Sequence, residues 1–307
     1  MSCERLKKMK ILEIRLGRYP PALFLQKDKP VIDALKGMAE KWVRHCPLVD
    51  EKGKLVGMVS IRDIIDFLGG GNKFDHLKKD YPSLYDALNR TALSNISYKP
   101  PFIETTTEFK DVIETMIEKG VGALAVVDEN MNLVGIISER HIMSLFADTQ
   151  TFVKVKEIMS SPIISLTPSD TLIEAQKVMT KHRIRRLPLI SGNYLKGIIT
   201  VKDIVKFYAT DETLKKLANN NIEEIYNTPL SYISNKPVYT VDPDEDVGSA
   251  ISIMRKHNIG SLVVVEDNKP VGIFTERDVV KKLAKIRGVE IFVDEAQKKI
   301  VAGRVAF

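Results

Sequence analysis

Apolar and polar positions along this chain fall into one order of periods, and that order recurs. From Thr171 the segment TLIEAQKVMTKH places Leu172, Ala175, Gln176, Val178 and Met179 mostly at the i, i+3, i+4, i+7 spacing of a buried stripe, which predicts an amphipathic helix. LPLI from Leu187, then Ser191-Gly192-Asn193, then YLKGIIT from Tyr194 predict strand, tight turn, strand, because short apolar runs flanking a turn signal make a hairpin. Three further hairpins are predicted with turns at Asp50 to Gly53, Asp128 to Asn130 and Asp267 to Lys269. A second helix is predicted to start at the Ser or Thr that ends each hairpin.

The close of each hairpin carries the clearest self-similarity. GMVSIRDII from Gly57, GIISERHIM from Gly135, GIITVKDIV from Gly197 and GIFTERDVV from Gly272 share Gly, two apolar residues, Ser or Thr, two residues, then Asp in three of four. Gly-to-Gly intervals of 78, 62 and 75 residues imply units of about 60 residues with added segments in the first and third connections. The additions run from Gly69 to Arg90, opening with Gly69-Gly70-Gly71, which reads as a helix stop, and from Ala209 through ATDETLKKLANNN. The fold class is α/β, each unit being strand, helix, strand, strand, helix. One such unit is too small to close its own core, so units are expected to pair.

Length and composition fit this organisation. A chain of 307 residues, 44% hydrophobic and 28% charged, has the material for two or three folded cores. No apolar run approaches the roughly 18 residues of a membrane helix, and the start, MSCERLKKMK, has no apolar core or small-residue cleavage site, so a cytoplasmic protein is expected. Two cysteines, Cys3 and Cys46, support neither a disulfide framework nor a zinc site. Positive charge concentrates at the ends. Residues 1–18 hold six basic residues against two acidic ones, and residues 281–307 hold seven against three, leaving 33 basic and 35 acidic residues between them. Such ends can meet an anionic partner such as RNA, or simply solvate the termini.

The pairs Ser60 with Asp63, Thr200 with Asp203 and Thr275 with Asp278 have the spacing of a helix start, with the hydroxyl at the N-cap and the acid three residues on. Capping boxes prefer Glu or Gln at that place, so recurrence of Asp argues for a further role. One residue before the acid stands a cation, Arg62, Arg140, Lys202 or Arg277, against the preference of a helix's first turn, and a bound phosphate would explain it. An exposed, solvated side chain is the alternative. Unit two has Ser138 but His141 in place of Asp. His182 and His257 end their helices, where a cation is favourable, and His45, His76 and His141 are scattered with no metal-ligand spacing. No nucleophile elbow, carboxylate pair or Cys/His arrangement points to catalysis, and no enzyme activity is expected.

These repeats resemble the cystathionine-β-synthase (CBS) domain over residues 19–70, 90–147, 153–210 and 222–286. Around them lie a basic segment at 1–18, connecting segments at 71–89 and 211–221, and a basic segment at 287–307. Four repeats with no other domain resemble the γ subunit of AMP-activated protein kinase and its free-standing archaeal-type relatives, and RIRRLPLI from Arg183 is similar to that family's phosphate-contacting segment. The resemblance implies tandem pairs, one with two and three with four, in a pseudo-symmetric disc, either a monomer or a homodimer. It also implies that clefts between paired repeats bind adenosine-containing ligands. Asp63, Asp203 and Asp278 would accept both ribose hydroxyls, while Ser60, Thr200 and Thr275 with Arg62, Lys202 and Arg277 would face phosphate. His141 cannot accept twice, so three sites at most are expected. The matching first-strand position, counted back from the helix alanine or its equivalent, reads Phe24, Thr105, Ser165 and Thr240, and a hydroxyl there could bond phosphate or ribose. Arg185 and Arg186, with Arg44 and His45 in unit one, are the expected phosphate ligands beside the hairpin proline; units two and four have Gly122-Ala123 and Gly260-Ser261.

The function expected is a non-catalytic, energy-sensing regulatory module. It would bind AMP, ADP or ATP without a metal and alter a partner by rearranging its paired repeats. Another adenosine compound, such as S-adenosylmethionine or NAD, would satisfy the same acids. The competing expectation is an RNA- or ribosome-associated factor docking through its basic ends, VEIFVDEAQKKIVAGRVAF from Val289 forming an added hairpin. A structural adaptor with degenerate sites is the third.

Overall fold

The computed structural model describes residues 8–73, 80–234 and 237–303. Cys3, Arg5, Lys7, His76 and Arg304 lie outside the described residues. Each repeat has the predicted order of elements. In repeat 1 a strand Leu25–Gln26 precedes the helix Val31–Lys41, the hairpin His45–Val49 and Leu55–Ser60, and a second helix, Ile61–Ile65, that runs into a π turn ended by Gly69 at φ 106°. In repeat 2 the elements are Phe102–Glu104, Phe109–Lys119, Ala123–Val127, Leu133–Ser138 and Glu139–Met143. Repeat 4 follows suit with Thr240–Val241, Val247–Lys256, Ser261–Glu266, Lys269–Thr275 and Glu276–Asp278. Repeat 3 has Leu172–His182, Arg186–Ser191, Tyr194–Thr200 and Val201–Tyr208; its first strand shrinks to one parallel bridge, Leu166 to Leu189.

The repeated glycine marks a close approach. In each hairpin the register shifts one pair beyond the glycine, after Leu48↔Gly57, Val126↔Gly135, Leu189↔Gly197 and Val264↔Gly272. A Cβ on Gly135 would stand 2.2 Å from the Tyr19 ring, and one on Gly272 would stand 2.8 Å from Met159 Sδ. What approaches is a leading segment belonging to the tandem neighbour. Arg18 bridges Ile136, Tyr98 bridges Met58, Ser160 bridges Ile273, and Ser234 Oγ donates to Ile198 O at 2.8 Å. Each leading segment carries one short helical turn, Ile11–Ile14, Leu93–Asn95, Val155–Ile158 or Leu230–Ile233. Residues 10–18, expected as part of a basic segment outside the repeats, thus pack Ile11, Ile14 and Leu16 into the core of repeat 2.

Helical packing follows a different pairing from the tandem one. The chain forms two compact units, one from Met1–Pro21, Pro101–Ile163 and Tyr239–Phe307, the other from Ala22–Pro100 and Ile164–Val238. Repeats 2 and 4 share the core of the first, where Val112, Ile113 and Met116 join Ala250, Ile251 and Met254. Repeats 1 and 3 share the core of the second, where Val31, Leu35 and Met38 join Val201, Ile204 and Val205. Tandem neighbours are instead linked by the exchanged leading segments, because the chain passes between units just ahead of each first strand. The helical stripes of alternate repeats therefore meet.

Both connecting segments contribute helices to the second unit, Leu84–Arg90 and Asp211–Ala218. The expected C-terminal hairpin is corrected: Glu290–Val301 is a helix. Phe292, Val293 and Ala296 recur at helical spacing and are buried, and Phe292 meets the Phe146 ring edge-on at 4.9 Å. The short apolar–charged alternation fits both periods, and the waiting apolar surface of repeat 2 selects the helical one.

Candidate functional site

All four helix starts form the predicted cap. Ser60 donates to Asp63 Oδ2 through its N–H at 2.7 Å and its hydroxyl at 2.6 Å. Thr200 reaches Asp203 Oδ2 at 3.0 and 2.6 Å, and Thr275 reaches Asp278 Oδ2 at 2.9 and 2.6 Å. In repeat 2 the Ser138 N–H donates to His141 Nδ1 at 3.1 Å, so the imidazole stands in for a carboxylate at the cap. Each aspartate commits Oδ2 to the helix start, which leaves Oδ1 for a further donor. At Asp63 that donor is Lys73 Nζ. At Asp278 the donors are Ser160 Oγ at 2.8 Å and Lys282 Nζ at 2.8 Å. Asp203 and Asp278 are buried.

The cations before the acids have protein partners that the sequence reading missed. Arg277 Nε lies 3.0 Å from Glu139 Oε1, and Arg140 Nε lies 3.5 Å from Glu276 Oε1, a reciprocal exchange between repeats 4 and 2. Lys202 of repeat 3 donates to Trp42 O of repeat 1 at 2.5 Å, its ammonium 5.0 Å from the centre of the Trp42 ring. Inter-repeat pairing therefore accounts for the placement of Arg140, Lys202 and Arg277 without a phosphate. One signal was legible: Glu follows the hydroxyl in repeats 2 and 4, where repeats 1 and 3 have Ile61 and Val201.

Charges from two other parts of the chain act on Tyr98. Tyr98, from the leading segment of repeat 2, is pushed up to about 12 by burial and by the Asp63 charge, with Arg62 and Arg185 opposing. Arg185 of repeat 3 is buried, its carbonyl accepting from Val201 N at 3.0 Å, while Arg186 is half-buried and opens the hairpin opposite Thr200. Arg185 and Asp63 thus act electrostatically on the same phenol, that of Tyr98.

The first-strand position needs a correction in repeat 2. Leu25, Ile103 and Val241 pair in parallel with the matching residues Leu48, Val126 and Val264, so the residue before them, Phe24, Phe102 or Thr240, is the equivalent one. Leu166 pairs likewise with Leu189, which keeps Ser165 in place. Thr105 lies beyond its strand and is not equivalent, because the strand register puts Phe102 at that position. Repeats 1 and 2 therefore present exposed Phe24 and Phe102, and only repeats 3 and 4 present hydroxyls, Ser165 and Thr240.

His182 ends its helix, and His257 caps the next repeat's helix while stacking on Tyr239 at 3.9 Å between ring centres. Among the described residues no group of three or more His, Cys, Asp or Glu could hold a metal ion, and no helix is long and apolar enough to cross a membrane.

Comparison with known proteins agrees with this architecture. The CBS domain profile matches residues 17–70, 93–148, 155–210 and 230–285. The chain therefore belongs to the CBS-domain family, as a protein of four such repeats. It is 49% identical over 97% of its length to all of an uncharacterized 33.4 kDa protein in a ribosomal RNA operon of Thermofilum pendens. It is 29% identical over 82% of its length to 91% of the uncharacterized protein MJ1225 of Methanocaldococcus jannaschii. The crystal structure of MJ1225, described as a proposed archaeal homolog of the γ subunit of AMP-activated protein kinase, superposes with a TM-score of 0.82 at 27% identity, covering 90% of this chain and 100% of that one.

Proposed function

We propose that this chain is a non-catalytic, energy-sensing regulatory module. It takes AMP, ADP or ATP at the capped aspartates of repeats 1, 3 and 4 and acts on a partner by a ligand-dependent change in the set of its repeats. The observation that carries the reading is that the buried Tyr98 phenol of a leading segment feels the charges of Asp63 and Arg62 from repeat 1 and of Arg185 from repeat 3. A carboxylate suits ribose hydroxyls and neighbouring guanidinium groups suit a phosphate. Ser60, Thr200 and Thr275 would supply hydroxyls at the caps, Ser165 and Thr240 hydroxyls from the strands, and Arg185, Arg186 and Lys202 positive charge. Arg277 remains a candidate through Nη2, a buried atom without a hydrogen-bond partner. Similarity to MJ1225 supports the energy-sensing reading.

Calorimetry of nucleotide-stripped protein with AMP, ADP, ATP, NAD and S-adenosylmethionine tests it. Binding at one to three sites, ordered by phosphate number and weakened by Asp203→Ala and Asp278→Ala, is expected. No heat with any adenine nucleotide overturns it, and preference for S-adenosylmethionine or NAD would keep the site but replace the ligand.

A second reading, docking to RNA through the basic ends, draws on Lys281, Lys285 and Arg287 near the chain's end and on the operon for which the Thermofilum pendens relative is named. Lys298 and Lys299 are engaged with Glu295 and Ala147 O, so those two are already in use. Absence of RNA binding at low salt would end it.

A further inference from the structure

Two lysines from unrelated places in the sequence end on the same atom of the repeated motif. Lys73 follows Asp63 by ten residues, beyond the π turn; Lys282 follows Asp278 by four, within the turn Val279–Leu283. Lys73 Nζ meets Asp63 Oδ1 and also donates to Ile96 O at 2.7 Å. Lys282 Nζ lies 2.8 Å from Asp278 Oδ1 and donates to Met159 O at 2.8 Å and to Ser160 Oγ at 3.1 Å. Ile96, Met159 and Ser160 all belong to leading segments exchanged from the tandem neighbour. In both repeats, then, an ammonium is held between the motif's carboxylate and the exchanged segment. The carboxylates are only 15% and 4% exposed, while the lysine side chains are 31% and 40% exposed. Each acid is covered by a group that can itself swing into solvent on a flexible stem.

We infer that Lys73 and Lys282 are internal occupants of the ribose subsites and set their preference for phosphorylated ligands. The inference rests on the nucleotide-binding reading above. A ligand enters by placing its hydroxyls on Oδ1 in exchange for the ammonium, and the released ammonium takes the ligand's phosphate as its new anion. A nucleoside must break the same ion pair but brings no anion to replace the carboxylate, so the exchange disfavours it. Selection for phosphate thus comes in part from residues outside the repeated signature, contributed by a different stretch of chain in each repeat.

The test is calorimetric titration of adenosine and of AMP into the full chain and into Lys73→Met, Lys282→Met and Lys282→Gln. Lys52→Met, at an exposed position of a hairpin turn, serves as the control for lost charge. Thermal melts establish that each variant is folded, and the Gln variant keeps a donor for Met159 O if the Met variant is not. Adenosine binding tightened by roughly two- to fivefold, the size of a partly exposed ion pair, with a falling preference for AMP over adenosine and no change in Lys52→Met, is the expected result. An unchanged preference in the Lys73 and Lys282 variants, or weaker adenosine binding in both, overturns the inference while leaving the nucleotide reading intact. Failure of the unaltered protein to bind AMP at all shows up before any variant is compared and removes both.

Discussion

Arg277 Nε lies 3.0 Å from Glu139 Oε1, and the two residues come from different repeats of one compact unit. Glu139 is 1% exposed, and Arg277 supplies a compensating charge. Removing one member of a buried pair leaves the other without compensation, at about 3–5 kcal/mol. Arg277→Met, which strands the buried carboxylate, is expected to lower unfolding free energy by about 3 kcal/mol, Glu139→Leu by less, and the double variant Glu139→Leu with Arg277→Met by much less than the sum of the two. Urea unfolding of the two singles and the double gives the coupling. Equal, additive losses would show that the pair does not act as a unit.

Repeats 1 and 3 also share a neutral, fully buried polar contact. Gln176, fully buried in repeat 3, donates to Leu68 O of repeat 1 at 3.2 Å and accepts from Tyr208 Oη at 2.9 Å. Gln176→Leu strands the Tyr208 hydroxyl, while Leu68 O keeps the Tyr226 hydroxyl at 3.1 Å, and is expected to cost about 1–3 kcal/mol, against about 1 kcal/mol for Tyr208→Phe. Denaturant midpoints at constant slope check this, and a neutral Gln176→Leu would show the contact dispensable.

The repeated glycines differ in what crowds them. On Gly135 an added methyl meets the Tyr19 ring at 2.2 Å and Arg18 O at 3.0 Å, whereas on Gly57 the nearest atom is Ser97 Oγ at 3.1 Å. Gly135→Ala should destabilise by about 2–3 kcal/mol and Gly57→Ala by under about 1 kcal/mol, because a ring must move in one case and a hydroxyl in the other. Melting temperatures that fall equally would contradict the ranking.

Cap and ligand roles of Asp203 separate with two substitutions. Asp203→Ala removes the cap acceptor and should cost about 1 kcal/mol. Asp203→Asn keeps an acceptor for Thr200 but loses the charge, so it should retain most of the stability while weakening nucleotide binding by about tenfold. Calorimetry and thermal melts on both variants decide the matter. Unaltered affinity in both would leave the aspartate with the cap alone.

Tyr98 supplies a dependence on pH. Burial near Asp63 pushes its phenol from the ordinary 10.0 up to about 12, so the fold favours the protonated form. That contribution is complete below pH 10 and is lost as pH rises towards about 12. In an ultraviolet titration of the folded protein, Tyr98→Phe should remove one phenolate from the late phase and leave the early phase unchanged. Removal from the early phase would place Tyr98 in water.

The sequence by itself determined the repeat. Four copies of Gly, two apolar residues, a hydroxyl and an acid three residues later specify where each hairpin closes and each second helix begins, because turn, cap and apolar stripe are set by neighbours within a few residues. The aspartate caps, the helix stop at Gly69 and the stripe on Leu172–His182 were legible for that reason. Tertiary structure decided which repeats share a core. Leading segments cross to the tandem neighbour, so the helical stripes of alternate repeats meet, and nothing local in a stripe names its partner. The alternating Glu139 and Glu276 carried a trace of that choice. Contact over long sequence separation also brought Ile96 O to Lys73, Met159 O and Ser160 to Lys282, and Tyr98 beside Asp63. It turned the alternation after Val289 into a helix, since the exposed core of repeat 2 accepts a stripe at helical spacing.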